Sequence, residues 1–157
     1  MNNPKPIPFT KEGYEKIKEE KKSLELRRKE AVLSLKTARE MGDLSENAAY
    51  KVARMELSSI DHRLRRIQYL LAYGRIADNA VSGNWVSIGT TVKITDDKTE
   101  KTFSFVGDFE ANPALNKISG RSPIGKALMG KRVGDEITIS VPNGSITYRI
   151  LSIQITQ

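Results

Sequence analysis

The sequence predicts an α+β protein: an amino-terminal antiparallel α-helical coiled-coil hairpin over residues 1–76, then a globular domain over 77–157 made of a small twisted sheet with one short helix. Three observations carry this. Two segments repeat apolar residues at alternating steps of three and four, the period of a helical seam. The remainder uses short runs of Val, Ile, Thr, Phe and Tyr bounded by Gly, Pro and Asn, as strands do. The change of period occurs once, just beyond Tyr73.

From Lys11 to about Glu40 the chain is rich in Lys, Glu, Leu and Ala, contains no proline, and has one early glycine, Gly13. That is helix-forming composition. Tyr14, Ile17, Lys21, Leu24, Arg28, Ala31, Leu35 and Ala38 form its seam, with two charged interruptions; Ala53, Leu57, Ile60, Leu64, Ile67 and Leu71 form that of the second segment. A fold-back near residues 45 and 46 sets Ala38 against Ala53, Leu35 against Leu57, Ala31 against Ile60 and Leu24 against Ile67, and the residue numbers in these pairs total 91 or 92 each time. A constant total is what antiparallel helices require. At about 1.5 Å per residue, an arm of roughly 30 residues reaches about 45 Å.

Beyond Tyr73, Gly74, Gly83 and Gly89 break the helix. Strands are expected around Trp85 to Ile88, Thr91 to Thr95, Thr102 to Val106, Lys117 to Ser119, Glu136 to Val141 and Ser145 to Ile155. Asn143-Gly144 between the last two is a hairpin signal, with positive φ expected at both residues. Ser122-Pro123 before IGKALMG reads as an N-cap, a first-turn proline and a terminal glycine, hence a short helix.

Lys and Arg number 26 against 19 Asp and Glu, a net charge of +7. Such a surplus suggests an anionic partner such as nucleic acid, or a basic surface of no special function. Most of it lies in the first half, where positions 1–80 hold 17 basic and 12 acidic residues against 9 and 7 in positions 81–157. With no cysteine there is no disulfide, thiolate nucleophile or cysteine-bound zinc, and the lone His62, read as a surface residue, cannot make a histidine-rich metal site. The segment MNNPKPIPFT lacks the apolar run of a signal peptide, and no window approaches a membrane span, so no membrane partner and a cytoplasmic location are expected.

Between the seams lies MGDLSENAAY, where Asp43 and Glu46 stand three residues apart. One reading is a capping box: Gly42 ends the first helix, Asp43 caps the second, and Glu46 reaches back from its third position. The other is chemical, since two carboxylates at this spacing offer hard oxygens for Mg²⁺ but bind it weakly without further ligands from a partner. Lys36 and Arg39 on one arm and Lys51 and Arg54 on the other lie at similar distances from the fold-back, forming either a basic collar for the phosphates of a single strand or a solvated coiled-coil face. Gly125 to Lys131 has the glycine spacing of a phosphate-binding loop, but Arg132 replaces the required Ser or Thr and the intervening residues belong to the short helix.

AREMGDLSENAAY closely resembles the tip motif of the bacterial transcript-cleavage factors of the GreA/GreB family. FTKEGYEKIKEE resembles the start of that family's first helix and IDHRLRRIQYLL its second; VGDFEANPALNKISGRSPIGKALMGKRVGDEI resembles the core of its carboxyl domain, and VPNGSITYRILSIQ its final hairpin. Tip and arms mix features of the two subtypes, GreA being the closer overall. The resemblance implies an FKBP-like carboxyl domain after the coiled coil. It implies a transcription elongation factor whose coiled coil enters the RNA polymerase secondary channel of a backtracked complex while the globular domain holds the channel rim. Asp43 and Glu46 then help hold the Mg²⁺ of the polymerase active site, the nascent RNA 3′ end is cut by the polymerase, and the factor is not itself an enzyme. It also implies that no cofactor binds the free protein, which is monomeric.

Within the motif, Asn47 and Tyr50 match the family as support for the tip, whereas Ala49 departs from a frequent acid. Ser122 and Pro123 match its rim-binding segment, with Arg121 where some members carry an acid. Two other readings stay open: a channel-binding polymerase inhibitor of the same fold, against which the intact carboxylate pair argues, and a peptidyl-prolyl isomerase. The latter needs an aromatic pocket built from Trp85, Phe103, Phe105, Phe109 and Tyr148.

Overall fold

The computed structural model describes residues 4–43, 46–78 and 84–156. Its elements run β1 (Ile7–Phe9), α1 (Lys11–Glu40), α2 (Ala48–Tyr73), β2 (Gly74–Ile76), β3 (Thr90–Thr95), β4 (Glu100–Phe105), a 3₁₀ turn (Pro113–Leu115), β5 (Lys117–Ile118), α3 (Pro123–Leu128), β6 (Glu136–Val141) and β7 (Gly144–Ile155). The protein is α+β, with two long helices followed by a mixed sheet and a short helix.

Contacts divide the chain into two compact units: Tyr14–Gly74, and a second that joins the segment up to Gly13 to the segment from Arg75 onward. A division at residue 76 groups the first residues with the hairpin; the contacts place them with the sheet unit. The reason is local. β1 and β2 form a two-stranded sheet, the Ala77 N–H donates to the Phe9 carbonyl at 2.8 Å, and the fully buried Phe9 ring stacks on Phe109. These three-residue strands carry too little pattern to be legible in the sequence.

In the hairpin unit, residues ascending along α1 meet residues descending along α2. The Tyr14 hydroxyl donates to the Leu71 carbonyl, Arg63 reaches Glu20, Arg28 reaches Asp61, and Asn47 reaches Ala38. Leu24, Ala31, Ile60, Leu64 and Ile67 share one buried cluster, flanked by Ile17, Leu57 and Leu71. The seam is narrower on α1 than its spacing implies. Leu24, Ala31 and Ala38, seven residues apart, are buried, while Lys21 and Leu35 are half-buried and Arg28 is exposed and paired with Asp61 at 2.6 Å. Full burial of a Leu or Ile side chain stabilises by about 1.5–3 kcal/mol, so the Leu24 and Ile67 end contributes more than the alanine end.

The five-stranded sheet has the order β5-β4-β3-β7-β6, with only β4 and β5 parallel. Alternation places Val92 and Ile94 of β3, Ile137 of β6, and Tyr148 and Ile150 of β7 on one face, where Phe105 and Leu128 complete the core. A bulge in the β3–β7 ladder, where Lys93 pairs with Ser152 and Ile94 with Ile150, leaves Leu151 unpaired. Two local expectations are corrected. Residues Trp85 to Ile88 are not a strand: Val86 makes a pair of backbone hydrogen bonds with Gly130 and Lys131, and the chain then turns at Gly89, whose φ is 90°. The β6–β7 hairpin exists, but Val141 pairs with Gly144, so its two turn residues are Pro142 and Asn143. Only Gly144 has positive φ, because the fixed φ of Pro142 suits the first turn position.

Candidate functional site at the hairpin tip

The start of α2 decides how the tip is read. Its N-cap is Asn47, whose side-chain oxygen accepts from the Tyr50 N–H at 3.0 Å, and the helix begins at Ala48. Asp43 therefore lies four residues too early to cap it, and the capping-box reading of Asp43 and Glu46 is overturned. Asn caps a helix as well as Asp does, and it also carries an N–H: the Asn47 side-chain nitrogen donates to the Ala38 carbonyl at 2.6 Å. One side chain thus closes the end of one helix and the start of the other.

The turn before it is made by Gly42, whose φ of 129° disfavours any residue with a Cβ, after α1 ends at Glu40. Ser45, at the expected fold-back point, lies outside the described residues, as do Leu44 and Gly83. Asp43 and Glu46 are both exposed. Among the described residues no group of three or more His, Asp or Glu side chains could hold a metal ion. The two carboxylates supply hard oxygens suited to Mg²⁺, but at most part of its shell.

Lys36, Arg39, Lys51 and Arg54 are exposed on the two arms. The Arg39 guanidinium sits 5.9 Å from the centre of the Tyr50 ring, a cation–π contact worth about 0.5–1 kcal/mol at an exposed position. Tyr50 is thereby tied to α1 by its ring and to Asn47 by its backbone.

In the sheet unit, Ser122 caps α3: its oxygen accepts from the Gly125 N–H at 3.0 Å and its hydroxyl donates to the Ser119 carbonyl at 2.9 Å. Pro123 occupies the first turn. Gly125 is buried there, and a Cβ would run into the Ser119 carbonyl oxygen. That close approach accounts for the glycine without a phosphate. Sequence reasoning missed Glu110, whose carboxylate accepts from Thr10 N–H at 2.9 Å, from the Thr10 hydroxyl, and from Gly107 N–H at 3.2 Å. Thr10 in turn accepts from Gly13 N–H at 3.0 Å, capping α1. The two partners are 100 residues apart in sequence, so no local pattern announces them.

Phe105 and Tyr148 are buried in the core and Phe103 packs against it. A cleft of about 400 Å³ in the sheet unit has Phe105 as the sole aromatic residue among its described lining.

A helical hairpin presenting two exposed carboxylates beyond a polar clasp, with a small mixed sheet following in sequence, defines the class: a coiled-coil hairpin protein with acidic groups at the turn between the arms. The comparisons give the family. The profile for the transcription elongation factor N-terminal domain (GreA_GreB_N) matches residues 7–76, and that for the GreA/GreB C-terminal domain matches residues 81–155. The chain belongs to the GreA/GreB family of transcription elongation factors. It is 42% identical over 154 residues to the transcription elongation factor GreA of Thermoanaerobacter pseudethanolicus, covering 96% of this chain and 98% of that one. To the GreA of Staphylococcus carnosus it is 39% identical over 158 residues, covering 98% and 99%. Among solved structures, GreA factor homolog 1 of Thermus thermophilus matches with a TM-score of 0.46 and 28% identity, over 96% of this chain and 99% of that one.

Proposed function

We propose that this protein rescues backtracked transcription complexes by inserting its hairpin into the secondary channel of RNA polymerase and stimulating Mg²⁺-dependent cleavage of the nascent RNA. The observation that carries the reading is the position of the α2 cap. Asn47 does the structural work, and Asp43 and Glu46 are exposed beside it. Mg²⁺ in the polymerase active site would stabilise charge on the attacked phosphodiester and activate water. Asp43 and Glu46 would add carboxylate oxygens to that ion's shell, and Asn47 and Tyr50 hold the tip on which they sit. Lys36, Arg39, Lys51 and Arg54 hold phosphates of the displaced RNA 3′ end, and the segment at Ser122 and Pro123 meets the channel rim. The protein is then a helper of the polymerase's own hydrolysis rather than an enzyme, and it works in the cytoplasm. Among the described residues no helix is long and apolar enough to cross a membrane.

The experiment is a stalled, backtracked polymerase complex with labelled RNA and Mg²⁺. The added protein shortens the transcript from its 3′ end, and the protein alone leaves the RNA intact. Polymerase binding with slowed elongation and no cleavage would instead establish the inhibitor reading. The isomerase reading loses support because the core takes up Phe103, Phe105 and Tyr148.

A further inference from the structure

On the flank of the tip, the two arms enclose an apolar groove of about 600 Å³ that the functional reading does not use. Its walls are Leu33, Met41 and Val52, and its floor includes Ala38, Ala49 and Ala53. Leu33, Met41 and Val52 are 64%, 71% and 64% exposed, outside the buried seam; Leu26 and Met55 are exposed elsewhere on the arms, outside the groove.

We infer that this groove is a docking site for an apolar segment of protein on the inner wall of the polymerase channel, one that seats the tip when the carboxylates arrive. The inference rests on the reading that polymerase is the partner, and it adds what holds the tip there. Three features select this occupant. Among the described residues the groove's lining has one charged side chain, Glu56, which is paired with Arg27 at 3.7 Å, so RNA phosphate meets no cation inside it. Three wall side chains over alanines fall well short of the ~800 Å² per partner that a stable complex buries, which argues against a second copy of this chain and for a partner already engaged elsewhere. The groove also adjoins the acidic tip along the chain: Met41 is two residues before Asp43 and Ala48, also on the lining, is two residues after Glu46, so a surface that receives the carboxylates lies near the groove.

The test compares Met41→Gln/Val52→Gln with Leu26→Gln, a control at a 62% exposed leucine outside the groove. Gln keeps helix propensity, and circular dichroism checks that all hairpins fold. Cleavage of backtracked RNA is measured against protein concentration, and polymerase binding by fluorescence anisotropy. The double variant is expected to raise both the half-saturating concentration and the dissociation constant tenfold or more, with Leu26→Gln behaving as the parent. If the double variant and the parent match in both measurements while Asp43→Asn abolishes cleavage, the groove inference is overturned and the functional reading stands. If the parent stimulates no cleavage, the functional reading fails, and the anisotropy comparison alone judges the groove, equal affinities overturning it. Micromolar dimerisation of the parent in sedimentation, lost in the double variant, would identify a second copy as the occupant and likewise overturn it.

Discussion

Asn47 donates its side-chain N–H to the Ala38 carbonyl, 2.6 Å away, while its side-chain oxygen caps α2 at Tyr50. The two bonds are separable. Asn47→Asp keeps the acceptor and loses the donor, whereas Asn47→Ala loses both. Alanine is expected to lower hairpin stability by about 2 kcal/mol and aspartate by about 1. Amide exchange at Tyr50 reads the cap directly: it stays slow in Asn47→Asp and quickens in Asn47→Ala. Equal quickening in both would show that the cap does not depend on the oxygen.

Asp43→Asn and Glu46→Gln preserve shape and remove charge. Because Asn47 holds the cap, both variants are expected to unfold within about 0.5 kcal/mol of the parent, as surface substitutions do. Both should still compete with the parent for polymerase and lose transcript-cleavage stimulation by tenfold or more. Near-parental cleavage by either variant removes that residue from the metal shell.

Replacing Lys36, Arg39, Lys51 and Arg54 by Gln tests the collar. Exposed charges of this kind contribute tenths of a kcal/mol each to stability, and loss of the Arg39–Tyr50 contact adds about 0.5–1 kcal/mol. Cleavage should fall more steeply as the displaced RNA lengthens. A defect of the same size at every length would mark these cations as an ordinary solvated face.

Glu110 is placed to govern the start of α1, since its carboxylate accepts from Thr10 and Gly107. Glu110→Ala leaves those part-buried donors without their acceptor and is expected to cost about 2–3 kcal/mol. Glu110→Gln, which keeps an acceptor, should cost less. Thermal unfolding of the full chain gives the order, and an alanine variant as stable as the parent contradicts the role.

Asp61 is held below its ordinary carboxylate value near 3.8 chiefly by the hydrogen bond from Arg28, with attraction from Arg28 and Arg65 adding and desolvation opposing. A depressed folded value means that the unfolded chain binds the proton first. The contribution to stability is therefore present above about pH 4 and is lost as pH falls through the folded value. A carboxyl NMR titration should find Asp61 below 3.8, and Arg28→Gln should return it towards that value.

The hairpin was legible because its apolar pattern repeats: Leu24, Ala31 and Ala38 lie seven apart, and the expected partners on α2 keep a constant total of residue numbers. The sheet was legible where strands alternate over six residues, as in β3 and β6. What escaped was short or non-local. β1 and β2 are three residues each, and Glu110 acts on Thr10 across 100 positions. At the tip the spacing allowed a capping role for Asp43 that falls instead to Asn47. Asp43 and Asn47 are both good caps, and sequence alone does not reveal that Asn47 also has the Ala38 carbonyl within reach.

The buried residues of the seam grade from Leu24, Leu64 and Ile67, through Ala31 and Ile60, to Ala38 and Ala53 nearest the turn. Each step towards the turn removes less hydrocarbon from water, so opening should become easier in the same direction. The hairpin then behaves as a zipper with a loose end, able to part and re-form near the acids without disturbing the Leu and Ile layers. Amide protection should fall stepwise from Leu64 to Ala53. An end that breathes in this way can adapt its last two turns to a confined surface while the rest of the arm stays rigid.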